Sequence, residues 1–498
     1  VYRLGFLFAL MLLGAPVAHG ARTSPEKFPP LPEREFRGAW VASVSNIDWP
    51  SKKGLSTDQQ KRELIAILEK CRQLKLNVVI LQVRPSCDAL YASKIEPWSE
   101  YLTGVQGKAP APYWDPLEYA VNEAHARGIE LHAWFNPFRA RHSGGGSRAS
   151  THISKTRPAW AKNYGSQIWL DPGLPEVHDY SARVILDVVQ RYDIDGVHID
   201  DYFYPYPEKD KAKKDMPFPD WTSWNNYQKT GGSLSRDGWR RDNVNRFVRR
   251  LYGDIHKAKP WVKVGISPFG IFRPGYPSQI KGFDQYESLY ADPRTWLANG
   301  WLDYLAPQLY WRIEPAAQSF PVLLKWWAEN NPHGRFLVPG INTSAVGKNR
   351  SAWPADEIIE QIDLTRKQPG TDGHVHWSMS ALMNNEADVA DDLGRKTYKR
   401  AALVPALPGH LTKLAPAPSF IMTNNPNRRP LARWNAVGAD PVRHWVMQYQ
   451  RDGTWRTEIR GGGSTSREFS AMPDIVVLTG VNRFGNFSES KVWRRYSP

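Results

Sequence analysis

Eight β-rich runs alternate with helical patterns along residues 37–379, and that alternation leaves few folds open to the chain. The predicted strands are 37–44, 78–84, 130–136, 196–202, 262–267, 304–310, 337–342 and 374–379. Apolar residues recur at helical spacing between them: Leu64, Ile65, Leu68, Cys71 and Leu74 precede strand 2, with similar patterns at 117–126, 184–189, 247–255 and 322–327. Strand-then-helix units build a parallel sheet covered by helices, and eight in succession predict an α/β fold of the (β/α)8, TIM-like barrel type.

Loop lengths orient this barrel. Helix-to-strand connections are short and carry turn residues, as at Arg127-Gly128, Asn299-Gly300, His333-Gly334 and Pro369-Gly370. Strand-to-helix connections are long, notably 137–180 after strand 3 and 203–241 after strand 4. Active sites of such barrels lie on the face built by those longer loops. Strand 4 delivers to that face the segment DGVHIDDYFYP, from Asp195 to Pro205. Val197 and Ile199 alternate with His198 and Asp200, so one side packs under helices while the other carries polar groups. Buried carboxylates are costly unless they are paired or used, which makes Asp200 and Asp201 candidate catalytic residues.

Other strand ends supply side chains that suit a polyhydroxylated ligand. Strand 2 offers Gln82 and Arg84; strand 3, Trp134, Asn136 and Arg139; strand 6, Gln308, Tyr310 and Trp311; strand 8, His376 and Trp377. The chain holds 22 Trp, several beside polar residues, and an indole presents a flat apolar face to sugar C–H bonds. Arg84, Trp134, Asn136, His198, Tyr202, Gln308, Tyr310, Trp311 and Trp377 are therefore the expected substrate-binding set. Glycosidic hydrolysis needs an acid at the leaving oxygen and a base, nucleophile or charge stabiliser at the anomeric carbon. Adjacent residues of an extended strand point oppositely, so a second carboxylate from a loop is also open: Asp48, Asp88, Glu287 or Glu314. No cofactor is called for, and no cluster of metal-ligand spacing occurs.

Past residue 400 the pattern changes. A Pro-rich stretch at 401–418 reads as a linker, and alternating runs with turn residues at Asp452-Gly453 and Gly461 to Gly463 predict a small all-β sandwich over 419–498. The whole chain carries a formal charge of +15, and residues 411–498 alone hold 13 Lys and Arg against 6 Asp and Glu. Such a surface fits association with an anionic envelope. The start reads as an export signal over 1–20, with Arg3 ahead of an apolar run and Ala18, His19 and Gly20 at the cut; a retained membrane anchor is the alternative. Export implies a periplasmic or cell-envelope location. Cys71 and Cys87 fall at opposite ends of a strand–helix layer, too far apart for a disulfide.

Several stretches together resemble the glycosyl hydrolase-like 10 family, which is distinct from the true family 10 xylanases. They are FRGAWVASV from Phe36 to Val44, NIDWP from Asn46 to Pro50, LQVRP from Leu81 to Pro85, WFNP from Trp134 to Pro137, the 195–205 segment, and APQLYW from Ala306 to Trp311. The resemblance covers about residues 35–395. It implies a TIM-like barrel that hydrolyses glycans, with exported bacterial members associated with peptidoglycan, especially strands lacking peptide stems. Strand 4 is also similar to the family 18 chitinase pattern DGxDxDxE; here His198 replaces the middle aspartate and Tyr202 stands at the glutamate. The tail is similar to a fibronectin type III domain through Trp434 and the run from Val481 to Ser488, although no Tyr occurs over 469–481 for the usual corner.

The reading is an exported glycoside hydrolase acting on a cell-wall polysaccharide, with Asp200 and Asp201 as nucleophile, base or oxocarbenium stabiliser. On a 2-acetamido sugar the substrate amide would be the nucleophile, oriented by an aspartate with Tyr202 hydrogen-bonded to it. The alternative is a non-catalytic glycan-binding protein that keeps the cleft. A nucleic-acid partner, suggested by charge alone, is disfavoured by export and by the aromatic cleft.

Overall fold

The computed structural model describes residues 29–347, 349, 351–410, 415–423, 429–438 and 441–495. The export signal expected at 1–20 lies outside the described residues. Parallel strands form the centre: β1 Phe36–Val41, β2 Val78–Arg84, β3 Glu130–Phe135, β4 Gly196–Ile199, β5 Lys263–Ile266, β6 Tyr304–Leu305, β7 in two halves, Phe336–Leu337 and Gly340–Ile341, and β8 Gly373–His376. The first half of β7 pairs with β6 and the second with β8, so the two ends of the hydrogen-bonded order are one broken strand and the sheet closes into an eight-stranded barrel. Around it lie α1 Thr57–Gln73, α2 Pro116–Ala126, α3 Pro175–Arg191, α4 Arg236–Ala258, α5 Pro293–Asn299, α6 Phe320–Glu329 and α7 Ala355–Lys367. Among the described residues no helix is long and apolar enough to cross a membrane.

Strand alternation sorts the core. Val79, Leu81, Val83, Val197 and Ile199 point outward into the layer shared with the helices. Trp40, Val78, Ile80, Trp134, Tyr304 and Phe336 fill the barrel interior. Gly265 is required there, because a Cβ on it would sit 1.8 Å from the Tyr304 ring.

The interior also carries polar groups, and their hydrogen bonds run in one defined direction. Trp40 Nε1 can only donate, and it donates to His198 Nε2 at 3.0 Å. Neutral His198 therefore carries its proton on Nδ1 and donates to the Tyr304 hydroxyl at 2.9 Å. That hydroxyl donates in turn to His132 Nδ1 at 2.9 Å, leaving His132 Nε2 to donate to Glu130 at 3.2 Å. Lys263 closes the chain on both Glu130 oxygens at 3.0 Å. Burial holds His198 well below the ordinary histidine range, in keeping with the neutral tautomer.

Several strands end earlier than expected, strand 1 at Val41 and strand 8 at His376 among them, and two of these early ends shape the site. Strand 4 ends at Ile199 instead of 202, because Asp200 turns its carboxylate onto the Tyr202 amide and bends the chain. Strand 6 ends at Leu305 instead of 310: Pro307 has no N–H for the ladder, and only isolated pairings of Gln308 with Phe269 and Gly340 continue it. The long loops have their own structure, a small sheet of Arg139–Arg141, Ala161–Tyr164 and Gln167–Leu170 after β3 and a helix Trp221–Lys229 after β4. Cys71 and Cys87 are buried free thiols, Cys71 against Met379 and Cys87 beside Arg84.

The tail is a two-sheet sandwich of β9 Ser419–Thr423, β10 Leu431–Asn435, β11 His444–Arg451, β12 Thr454–Gly461, β13 Ser466–Glu468, β14 Ile475–Val481 and β15 Phe487–Arg494. Sheet β9-β10-β13 faces sheet β12-β11-β14-β15 across a core of Trp434, Trp445, Met447, Phe469 and Leu478. Within 401–418, Ala402–Leu403 pairs with Glu33–Arg34, and residues 411–414 lie outside the described residues. The sandwich docks on the barrel face where the strands begin. Arg443 Nη2 donates to Asp195 Oδ2 at 2.6 Å, and that oxygen also accepts from the Leu131 amide at 2.8 Å and from His125 at 3.0 Å. Burial alone would raise the Asp195 pKa; Arg443 and His125 instead hold it well below the usual value. Arg483 makes a two-pronged pair with Asp193 at 2.6 and 2.9 Å.

Arg443→Ala leaves a buried carboxylate without its cation, so urea unfolding should show a loss of about 3–5 kcal/mol. The double variant Asp195→Asn/Arg443→Met should recover part of it by removing both charges. A single variant as stable as wild type contradicts this account of the junction.

Candidate active site

The chain leaves β4 at Ile199, and the bend places Asp200 and Asp201 side by side at the strand-C-terminal mouth of the barrel, 5% and 3% exposed. Strand alternation no longer separates them. Asn136 Nδ2 donates to both Asp200 oxygens at 2.8 and 2.7 Å, Trp134 Nε1 to Oδ2 at 3.2 Å, and the Tyr202 amide to Oδ1 at 3.2 Å. The orientation of Asn136 follows from its other end, where Oδ1 accepts from Gln82 Nε2 at 2.7 Å and Arg139 Nη2 at 2.9 Å, so only the amine is left for the carboxylate. Burial raises the Asp200 pKa against Arg139, Asn136, the Tyr202 amide and Trp134, all of which favour the anion. Asp201 has a thinner set of donors, chiefly the Tyr206 hydroxyl. Burial, then the neighbouring Asp200 charge, push Asp201 up to about 7, against the hydrogen bonds of Tyr206 and Gln308. Two adjacent aspartates are thus set apart by their surroundings: one amply solvated by protein donors, one inclined to keep its proton at neutral pH.

Half-buried aromatic and amide groups stand around the pair. Tyr310 stacks on Trp377 at 6.4 Å, and Trp377 meets Trp40 at 6.1 Å and Trp134 at 6.4 Å. Tyr202 is covered on one side by Arg139 at 4.9 Å and braced by Trp169 of the small loop sheet. Trp311 packs on Phe269, and Gln308 donates to the Ser267 carbonyl at 3.1 Å. Tyr202, Gln308, Tyr310, Trp311 and Trp377 are therefore the members of the expected binding set that remain partly open. Trp134 and Asn136 are buried and act on Asp200 directly.

Arg84 and His198 do not line the cleft. Arg84 is fully buried and its guanidinium is occupied, with Nε and Nη2 on Glu96 at 2.8 and 2.6 Å and Nη1 on the Asn136 carbonyl at 2.6 Å. A bulge between Gln82 and Arg84 turns it away from the barrel axis. His198 lies one layer below the mouth, and both its nitrogens are used by Trp40 and Tyr304.

The loop carboxylates also have other employment. Asp48 accepts from Ala42 N at 2.7 Å, Ser378 Oγ at 2.7 Å and Ser380 N at 2.8 Å, fastening the turn that presents Trp377. Asp88 is buried against Gln106 and the Ser86 amide, and burial pushes it up to about 6. Glu287 pairs with Arg241 and Arg273, and Glu314 is exposed. None of these four shares a hydrogen-bond partner with Asp200 or Asp201 among the described residues. Tyr206 is the partner that sequence reasoning passed over, although the spacing of Tyr202, Tyr204 and Tyr206 marked an aromatic run continuing beyond the strand. Among the described residues no group of three or more His, Cys, Asp and Glu is placed to hold a metal ion.

A paired-carboxylate mouth on a (β/α)8 barrel, walled by aromatic rings, is the arrangement of a glycoside hydrolase, and this protein is one. The chain belongs to the glycosyl hydrolase-like 10 family, whose model matches residues 35–354. It is 42% identical over 387 residues to glycosyl hydrolase YngK of Bacillus subtilis (strain 168), covering 76% of this chain and 74% of that protein. It is 34% identical over 370 residues to glycosyl hydrolase DigH of Escherichia coli (strain K12), covering 68% of this chain and 82% of that protein. Among solved structures it is similar to the PgaB (BpsB) glycoside hydrolase domain of Bordetella bronchiseptica, with a TM-score of 0.47, 12% identity, and coverage of 72% and 98% of the two chains.

The raised Asp201 has a thermodynamic sign. Between its ordinary value of 3.8 and about 7 the folded chain binds more protons at this site than the unfolded chain, so its contribution to stability is full below pH 4 and is lost as pH rises through 7. Asp201→Asn, which still accepts from Tyr206, should melt higher than wild type at pH 8, with the gain shrinking toward pH 4. A gain that is constant across this range contradicts the assignment.

Proposed function

We propose that the enzyme cleaves a bacterial cell-wall glycan, with Asp201 as general acid and Asp200 as the anionic partner at the anomeric centre. The observation that carries this reading is the division between the two aspartates. Asp201 is pushed up to about 7, so it holds a proton to deliver to a leaving glycosidic oxygen. Asp200, with its bouquet of N–H donors, is suited to stay charged and to stabilise an oxocarbenium-like state. Where the sugar carries a 2-acetamido group, Asp200 would orient that amide as the nucleophile, with Tyr202 beside it; a trapped glycosyl–aspartate adduct would rule this variant of the mechanism out. Trp377 and Tyr310 give sugar rings an apolar platform next to the pair.

The substrate class rests on family membership together with the export signal read at 1–20, and peptidoglycan strands lacking peptide stems are the form we favour. Export places the enzyme in the periplasm or cell envelope, where a net charge of +15 supports association with anionic surfaces. The all-β tail, with sheets of three and four strands, is compatible with a fibronectin type III-like module.

Peptide-free glycan strands incubated with the pure enzyme should release new reducing ends. Asp200→Asn and Asp201→Asn should each lower the rate by about 100- to 10,000-fold while strands are still bound. Wild-type enzyme that pulls the strands down without cutting them favours the non-catalytic binding reading. The alkaline limb of the pH–rate profile should fall near 7. Tyr206→Phe should move that limb to higher pH, because the lost hydrogen bond favoured the Asp201 anion; a limb that stays put removes Asp201 as the acid.

A further inference from the structure

A groove lies at the other end of the molecule. The barrel and the sandwich enclose an open groove of about 1380 Å³, lined on one side by the ends of α1 and α2 and by residues 399–401, and on the other by β12 and β13. Lining residues run without a break from Gly453 to Arg460. At roughly 3.3 Å per residue the groove follows β12 for about 25 Å. β12 is an edge strand, paired on one side only with β11.

The groove is cationic beyond what its own acids can balance. Arg72 and Arg127 share Glu69 just outside it, where Arg127 also pairs with Glu123, and Arg460 and Arg467 share Glu458 within it, where Glu468 is the other acid of the lining. Lys75, Lys399 and Arg456 have no carboxylate within ion-pair distance among the described residues, and Arg400 reaches only Glu33 at 3.7 Å. Lys75 is half-buried and held in a left-handed backbone conformation, φ 56°, at the end of α1. Burial and then the Arg37 charge lower its pKa, a strain that a bound anion relieves. The chain's own N-terminal stretch is a poor source of that anion, being net positive. The groove reaches Pro30, but residues 1–28 carry Arg3, Arg22 and Lys27 against Glu26 alone. Trp455 and the hydroxyl residues Thr454 and Ser466 line the same groove, adding ring surface and hydrogen-bonding groups suited to sugars.

We propose that this groove binds a linear anionic polysaccharide, one bearing a negative group on its repeating unit, and thereby tethers the enzyme while the cleft works elsewhere. Its length suits a polymer, its unbalanced cations suit repeated charge, and its aromatic and hydroxyl lining suits a glycan. It lies on the barrel face opposite Asp200 and Asp201, so it stands independently of the substrate proposed for the cleft.

The test uses the full chain and polygalacturonate, a glycan with one carboxylate per sugar, with neutral dextran and a double-stranded DNA oligomer as comparisons. Lys399, Arg400 and Arg456 are exposed, so the variant Lys399→Glu/Arg400→Glu/Arg456→Glu should fold normally. Wild type should bind polygalacturonate by titration calorimetry, more tightly than dextran or DNA and less tightly as salt rises. The triple variant should bind about tenfold or more weakly, since each exposed pairing is worth a fraction of that factor. Tyr310→Ala/Trp377→Ala, which removes the apolar platform of the cleft, should bind like wild type, which separates this site from the cleft. Undiminished binding by the triple variant, equal binding of dextran, or equal or tighter binding of DNA each overturns the proposal.

Discussion

The structure depends on one constraint: polar groups inside a closed barrel must each find a partner, because no water reaches them to take its place. Glu130, His132, His198 and Tyr304 sit where most barrels would place aliphatic side chains. They are tolerated because the donors and acceptors interlock in one order from Trp40 to Lys263. Trp40 has a proton to give and no lone pair to offer, so it decides the tautomer of His198. His198 then sets the Tyr304 hydroxyl, and that hydroxyl sets His132. Reversing any member would place two protons or two lone pairs face to face.

The same logic continues upward into the mouth. Trp134 is the register partner of His198 on the neighbouring strand, and its indole N–H reaches Asp200. Asn136, one residue past the end of β3, cannot flip, because Gln82 and Arg139 both donate to its oxygen. Asp200 is therefore held by groups whose own orientations are already decided. Asp201 lacks such a cradle and relies on a tyrosine from a loop. Burial and then the Asp200 charge push Asp201 up, while Asp200 touches more fixed donors, and that contrast is the basis for proposing two chemical roles for one dipeptide.

The barrel was legible in the sequence because strand alternation and helical spacing are local patterns that tertiary packing reinforced. The face carrying the long loops, where the candidate site is placed, was legible for the same reason, since long loops follow strands and short ones follow helices. What local pattern could not show was the depth of each side chain. Arg84 and His198 have the chemistry of ligand contacts, yet a bulge diverts one and the barrel axis absorbs the other. Asp200 and Asp201 converge because the strand stops at Ile199, and that stop depends on a side-chain-to-backbone bond that the residue pattern does not announce. Tyr206 escaped notice because its importance comes from where a loop folds back, not from its neighbours in sequence. Asp48 was legible as an available carboxylate, but its task is to pin the turn behind Trp377.

Strand β4 shows why the two ends of the molecule should be considered together. Asp195, at its start, is fully committed to Arg443, His125 and the Leu131 amide, so the sandwich is joined to the barrel by a buried ion pair instead of a flexible tether. Five residues later the same segment presents Asp200. That junction places the basic groove on the barrel face opposite the cleft. A polymer held at the junction cannot bend into the cleft of the same molecule without passing around the helical shell. On the proposed reading the sandwich acts by where it holds the enzyme, and the chemistry falls to the groups around Asp200 and Asp201.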